Sequence, residues 1–269
     1  FFGGQGTEEM LVTDVFTAGK LKEYEAWLRS RNASWNTVST YMRVLKAVYN
    51  RLVEAKRLTY DARLFDSVYT KVEAQSKRSL TEEQMNTLLH TDFEKLPEDV
   101  QNVLAYFLLM FLFRGMPFID MAYLRKQDLK EHCITYCRHK TGKKMVVRIP
   151  HEATALFEKC RNKKTDSGYL FPILDETTEN DKKLYKNYRQ ALRTFNRKLA
   201  KMAALLLPGT NISSYTARHT WATLAFYSGI PIGIISKALG HSSIKVTETY
   251  LKPFENEKVD AAKIGRAHV

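Results

Sequence analysis

One stretch of this chain limits its possible folds more than any other: DVQNVLAYFLLMFLFRGM, residues 99–116. Read as a helix it is apolar nearly all round, so it needs packed neighbours on every side. It falls short of the roughly 20 apolar residues that span a bilayer. The pattern therefore predicts a buried helix at the centre of a domain large enough to cover it. The run ends abruptly at Arg114, where a cation is costly unless it meets an anion or the negative end of the helix dipole.

The residues before this helix form a different module. In SWNTVSTYMRVLKAVYNRLVEAKRL, apolar Val38, Met42, Leu45, Tyr49 and Leu52 alternate at spacings of four and three, which makes one stripe on a helix. Ser34 or Asn36 can cap its start, and Arg43, Lys46 and Arg51 decorate its other faces. An earlier segment, KLKEYEAWLRSRN, turns Leu21, Tyr24, Trp27 and Leu28 inward. Residues 10–75 are thus expected to be a small helical domain with a cationic exterior, helical from 11 to 75. A polar linker follows at 76–80. Thr81, with Gln84 three residues on, starts a new helix as a capping box and opens a larger domain over 81–262. Residues 1–9 read as a disordered leader and 263–269, which break the preceding pattern, as a non-native tail.

Inside the larger domain, CITYCRHK and KMVVRIP are β-branched and aromatic runs joined through KTGK, which predicts a hairpin. Helical patterns then resume in DKKLYKNYRQALRTFNRKLAKMAALL, SYTARHTWATLAFYSG and PIGIISKALG, with Gly229 and Gly240 where helices should stop. The expected class is mainly α with a small β-hairpin or sheet (α+β).

Charge narrows the partner. Forty-two Lys and Arg against twenty-nine Asp and Glu leave +13, which points to a polyanion, double-stranded DNA above all, or at least to a solvated basic surface. No basic amphipathic tail suggests a membrane surface. Cys133, Cys137 and Cys160 make no paired framework and fit a reducing interior. His132, Cys133, Cys137 and His139 resemble a metal cluster only superficially, because the two cysteines lie about 13 Å apart along one strand and no second pair completes a site. Without a glycine-rich phosphate loop, ATP is not expected either. No metal or cofactor is assigned.

Five polar residues stand where packing does not ask for them: Arg114, Lys140 at the hairpin end, Arg218 in YTARHTWATLA, and His241 and Tyr250 in KALGHSSIKVTETYLK. Each has an ordinary structural explanation taken singly. Together they are the parts needed to break a phosphodiester without a metal. A phenol attacks once ionised, and nearby cations favour that form. Two guanidiniums hold the non-bridging oxygens. A lysine protonates the departing 5′-oxygen, and a histidine hydrogen-bonds the phosphate or acts as base.

In that order and spacing these blocks resemble the tyrosine recombinases, the phage-integrase family. ALGHSSIKVTETYLK is similar to the family's C-terminal signature, a Leu-Gly-His turn with a tyrosine nine residues after the histidine. YTARHTWATLAFYSG resembles its second-arginine block and YCRHKTGKKMVVRIP its lysine-bearing hairpin. FLFRGMPFIDMAYLRKQDL resembles its first-arginine block in the form found in integrases of conjugative transposons.

The resemblance implies a helical core-binding domain and a larger catalytic domain that together clamp a duplex. It assigns catalytic roles to Arg114, Lys140, Arg218 and His241, with Tyr250 as nucleophile. Asp120 then supports the first arginine, although it lies about three residues later than in commoner members. Tyr215 replaces the family's usual histidine and is expected to keep only a phosphate hydrogen bond, with His219 as the alternative. Lys143 and Lys144 join Arg43, Lys46 and Arg51 as DNA contacts.

The implied activity is site-specific recombination through a covalent 3′-phosphotyrosyl intermediate, integrating or excising a mobile element. A monomer in solution would assemble four copies on paired DNA sites, in the cytoplasm on nucleoid DNA, with no small-molecule substrate. In the family the segment after the nucleophile docks on a neighbouring protomer; here that segment reads as cut, so assembly is expected to weaken. Two alternatives stay open: a recombinase homologue that binds DNA without cleaving it, and a type IB topoisomerase-like relaxing enzyme.

Overall fold

Residues 11–72, 79–175 and 180–251 are described in the computed structural model. The expected leader at 1–9, the tail at 263–269 and residues 76–78 of the expected linker lie outside the described residues. The chain divides into two units, Phe1–Ser76 and Lys77–Val269.

The first unit carries α1 (Val12–Val15), α2 (Ala18–Ser30) and α3 (Trp35–Glu54). Of the two capping candidates for α3, Ser34 is used, accepting from the Thr37 amide at 3.2 Å. Leu21 and Leu28 of α2 pack with Val38, Met42 and Tyr49 of α3, with Leu45 half-buried against them, so four of the five residues of the predicted stripe join this core. Arg43, Lys46 and Arg51 stay exposed on α3.

The expected helix does not continue past Glu54: residues 55–72 run in turns. The Tyr49 hydroxyl donates to the Thr59 carbonyl at 2.9 Å and accepts from the Asp61 amide. The Asp61 carboxylate in turn takes the Arg63 amide at 2.8 Å. A side chain that offers the backbone local partners competes with helix there, and Leu64, Phe65 and Val68 fold back onto α2 and α3.

The second unit begins with α4 (Glu82–Leu89), closed by the expected Thr81–Gln84 capping box. The apolar run forms α5 (Glu98–Leu112), with Leu104, Ala105, Phe107, Leu109 and Met110 wholly buried. After α6 (Phe118–Tyr123) comes a three-stranded antiparallel sheet in the order β1 (Leu129–Lys130), β2 (Cys133–Cys137), β3 (Lys144–Arg148). Its two-residue first strand is too short to carry a periodic signal. The Ile134–Val147 and Tyr136–Met145 pairs face the core, as period-two alternation requires. The first hairpin strand stops at Cys137, so Lys140 sits in the turn rather than at a strand end.

Helices α7 (Thr154–Cys160), α8 (Asp181–Leu206), α9 (Ser214–Tyr227), α10 (Ile232–Leu239) and α11 (Ile244–Glu248) complete the unit. Helix α5 packs against α7, α8 and α9, and Phe118 stacks on Phe195 of α8 at 4.4 Å. The class is mainly α with one small sheet, as the sequence predicts.

Leu104→Ala removes a fully buried side chain from the middle of α5. It is expected to lower unfolding free energy by about 2–5 kcal/mol. A urea midpoint equal to that of the parent protein would contradict the central place given to α5.

Candidate active site

The buried helix α5 delivers its cation by a backbone reversal. Arg114 and Gly115 both adopt left-handed φ, +58° and +66°, and the Met116 amide closes the turn on the Met110 carbonyl at 2.9 Å. The left-handed region costs an L-residue roughly 1–2 kcal/mol. It turns the Arg114 side chain out of the apolar helix, where it is exposed and reaches the Val146 carbonyl only at 3.5 Å. Gly115 must be glycine for a second reason: a Cβ there would sit 2.9 Å from the Arg218 Cα.

Arg218, on α9, is 2% exposed. Its Nη1 donates to the Gly115 carbonyl at 2.9 Å. Its Nη2 donates to the Leu239 carbonyl and lies 3.1 Å from His241 Nε2. Its buried Nε has no partner. Burial first, then neighbouring Arg138, lowers its pKa, yet a guanidinium stays protonated in proteins.

His241 follows Gly240, the left-handed C-cap of α10. Because a guanidinium only donates, His241 Nε2 must accept. Nδ1 then carries the proton and donates to Thr247 Oγ1 at 2.9 Å. His241 is therefore a neutral imidazole with a defined tautomer. Its surroundings agree: burial, then Arg218, Arg138, Lys143 and Lys140, pushes its pKa down to about 4.

Tyr250 comes to this centre from the end of α11, anchored by Leu251 against Ala222, Ala225, Ile235 and Leu239. Its ring lies 4.7 Å from the His241 ring, 4.7 Å from the His219 ring and 5.6 Å from the Arg218 Cζ. His219 Nδ1 also lies 3.3 Å from the Tyr250 carbonyl oxygen. Although α9 turns His219 away from Arg218, the tail carrying Tyr250 comes to it. Desolvation above all, then the neighbouring Tyr250, raises the pKa of the Tyr215 phenol, so Tyr215 keeps its proton at neutral pH.

The hairpin approaches the same place. Lys140 is exposed in its turn. Lys143 donates Nζ to the His241 carbonyl at 3.1 Å, so one expected DNA contact has a partner inside the protein. Lys144 is exposed on β3.

Asp120 is where expectation and structure part. Among the described residues it pairs not with Arg114 but with Arg138, whose Nε lies 3.4 Å from its carboxylate. Its other oxygen accepts the His139 amide at 2.9 Å. Asp120 lies six positions after Arg114 along a reversing turn, and α6 aims the carboxylate at the hairpin.

Arg138 itself was missed. It is 5% exposed, and its Nη1 donates to the Leu239 and Gly240 carbonyls at 3.1 and 3.3 Å. The signal existed: Ile134, Tyr136 and Arg138 share the inward parity of β2. Among the described residues no group of three His, Cys, Asp or Glu side chains gathers as for a metal.

The protonation of His241 makes a stability test. Its folded pKa of about 4 lies below the ordinary 6.5, so between those values the unfolded chain binds more protons. Stability is fully present above pH 6.5 and falls as pH drops towards 4, by up to about 3 kcal/mol from this group. Urea unfolding across pH 4–7 should show a shallower slope for His241→Asn; identical slopes would mean the imidazole is not held neutral.

The phage integrase family model matches residues 78–257. Tyrosine recombinase XerA of Pyrococcus furiosus is 26% identical over 243 residues, which cover 88% of this chain and 76% of that protein. Among solved structures, the Tn1549 transposon integrase in complex with circular intermediate DNA superposes with a TM-score of 0.61 at 18% identity, covering 91% of this chain and 84% of that one. A lambda integrase tetramer bound to a Holliday junction gives 0.64 at 14% identity, covering 92% and 67%. Identities this low establish a shared fold, while the family match spans most of the unit that holds the site. The chain belongs to the phage integrase family, the site-specific tyrosine recombinases.

Proposed function

We propose that this recombinase cleaves and rejoins DNA through a 3′-phosphotyrosyl intermediate formed by Tyr250, and that it integrates or excises a mobile element. The observation that carries the proposal is the convergence of Arg218, neutral His241 and Tyr250, with the Tyr250 ring 4.7 Å from the imidazole and 5.6 Å from the guanidinium carbon. A buried guanidinium with an unpartnered Nε has donor capacity for a phosphate oxygen. Exposed Arg114 adds a second donor from the end of α5.

In the cleavage step the Tyr250 oxygen bonds to phosphorus and the bond to the 5′-oxygen breaks. Lys140 supplies the proton that the 5′-oxygen takes up. When Arg218 turns Nη2 to the phosphate, His241 Nε2 is left with an open lone pair beside the phenol and accepts its proton. The phosphodiester's negative charge offsets the cations that otherwise hold His241 neutral. Tyr215, protonated, donates to the nucleophile oxygen instead of acting as base. Rejoining reverses these steps, so the bond energy stays in the tyrosyl ester and no cofactor is required.

Exposed Arg43, Lys46, Arg51 and Lys144 add backbone contacts to the duplex. Four copies would act on two duplexes, on nucleoid DNA in the cytoplasm. The Tyr215 substitution favours a second reading, a homologue that binds without cleaving, and the same assay decides.

On a nicked suicide duplex selected by the protein from a randomised pool, the parent chain should form a covalent adduct. Tyr250→Phe should bind equally well and form none. An adduct in Tyr250→Phe would remove Tyr250 from the role; none in the parent chain would favour the non-cleaving homologue. Relaxation of a supercoiled plasmid without joining of two sites would favour a topoisomerase instead.

Affinity for the same duplex should fall by roughly 10³-fold between 50 and 200 mM salt if six or more phosphates are contacted. A flat response would argue against clamping of the backbone.

A further inference from the structure

The proposed general acid, Lys140, sits in an exposed turn, which is a poor place from which to aim a proton. Its neighbours are fixed far more firmly than an ordinary hairpin tip. The turn closes on Arg138, whose amide donates to the Lys143 carbonyl at 2.9 Å and whose carbonyl takes the Gly142 amide at 2.8 Å. The Arg138 side chain then crosses to the end of α10 and donates to the Leu239 and Gly240 carbonyls. Asp120 holds the same guanidinium and also the amide of His139, the residue directly before Lys140. Gly240 leaves the space for this crossing, since a Cβ there would lie 2.8 Å from the Arg138 Cδ.

We propose that Arg138 and Asp120 are positioning residues for Lys140: they lock the hairpin turn onto the carbonyls before His241, so the ammonium is presented to the departing 5′-oxygen. The inference rests on the reading of Lys140 as the acid. Cleavage transfers one proton from the Lys140 ammonium to the 5′-oxygen as the phosphorus bond to that oxygen breaks, and rejoining returns it. A sulfur in place of that bridging oxygen leaves as a thiolate and needs no proton, because thiols are far more acidic than alcohols. Loss of the acid, or of its positioning, is thus visible on the oxygen substrate and hidden on the sulfur one.

The test uses single-turnover cleavage by the full chain on the selected duplex, made with oxygen or with sulfur at the scissile 5′ position. The double variant Asp120→Asn with Arg138→Gln leaves no lone buried charge. It should cleave the oxygen duplex about 10²-fold more slowly, recover to within about threefold of the parent on sulfur, and bind both equally. If it does not fold, Arg138→Lys, which keeps a charge beside Asp120, gives the same comparison. Equal slowing on oxygen and sulfur would overturn the inference, because the pair would then act on something other than the acid. Parent-like rates on both would overturn it as well. Lys140→Ala, run alongside, separates the two layers. If sulfur rescues Lys140→Ala but not the pair, only the positioning role fails. If sulfur does not rescue Lys140→Ala, the acid assignment fails and the inference with it.

Discussion

Cations packed together in a folded chain repel, and this site places several around one imidazole. Arg218, Arg138, Lys143 and Lys140 all act on His241. The structure offsets that repulsion with the end of α10, where successive carbonyls accept from three of them: Leu239 from Arg218 and Arg138, Gly240 from Arg138, His241 from Lys143. The last carbonyls of a helix lack intrahelical donors and carry the negative end of its dipole. Asp120 supplies the full negative charge, and His241 contributes by staying neutral. What remains unsatisfied in this cluster is the buried Nε of Arg218.

Two glycines make this arrangement sterically possible, and they act alike. Gly115 and Gly240 both hold left-handed φ at the end of a helix, and each leaves room for the stem of an arginine. Arg218 fills the space beside Gly115; Arg138 fills the space beside Gly240. The backbone that reverses each helix is thereby the backbone that seats a guanidinium, and Gly115 and Leu239 each give a carbonyl to the arginine that passes. The apolar helix α5 matters here because its burial among α7, α8 and α9 fixes where the Arg114–Gly115 turn falls.

Much of this was legible along the chain. The all-apolar run specified a buried helix, the Thr81–Gln84 pair its neighbour's start, and β-branched runs around KTGK the hairpin. The order Arg–Lys–Arg–His–Tyr pointed to the chemistry proposed for Arg218, His241 and Tyr250. The turns of 55–72 escaped because the Tyr49 hydroxyl, a side-chain group ten residues away from Thr59, captures the backbone there. Asp120 pairs with Arg138 rather than with the arginine the resemblance implies, and His219, the alternative to Tyr215, finds its neighbour in space 31 positions later.

Sequence alone determined the class of fold and, through the resemblance of its ordered motifs, the family, because those depend on periodicity, local capping and the order of side-chain types. Only the tertiary structure decided which cation meets which acceptor. Arg138 reads as one more surface charge in CRHK until α10 arrives from a hundred residues away with two carbonyls for it. A hydrogen bond depends on distance and angle in space, and strand parity shows which way Arg138 faces but not what it will find there.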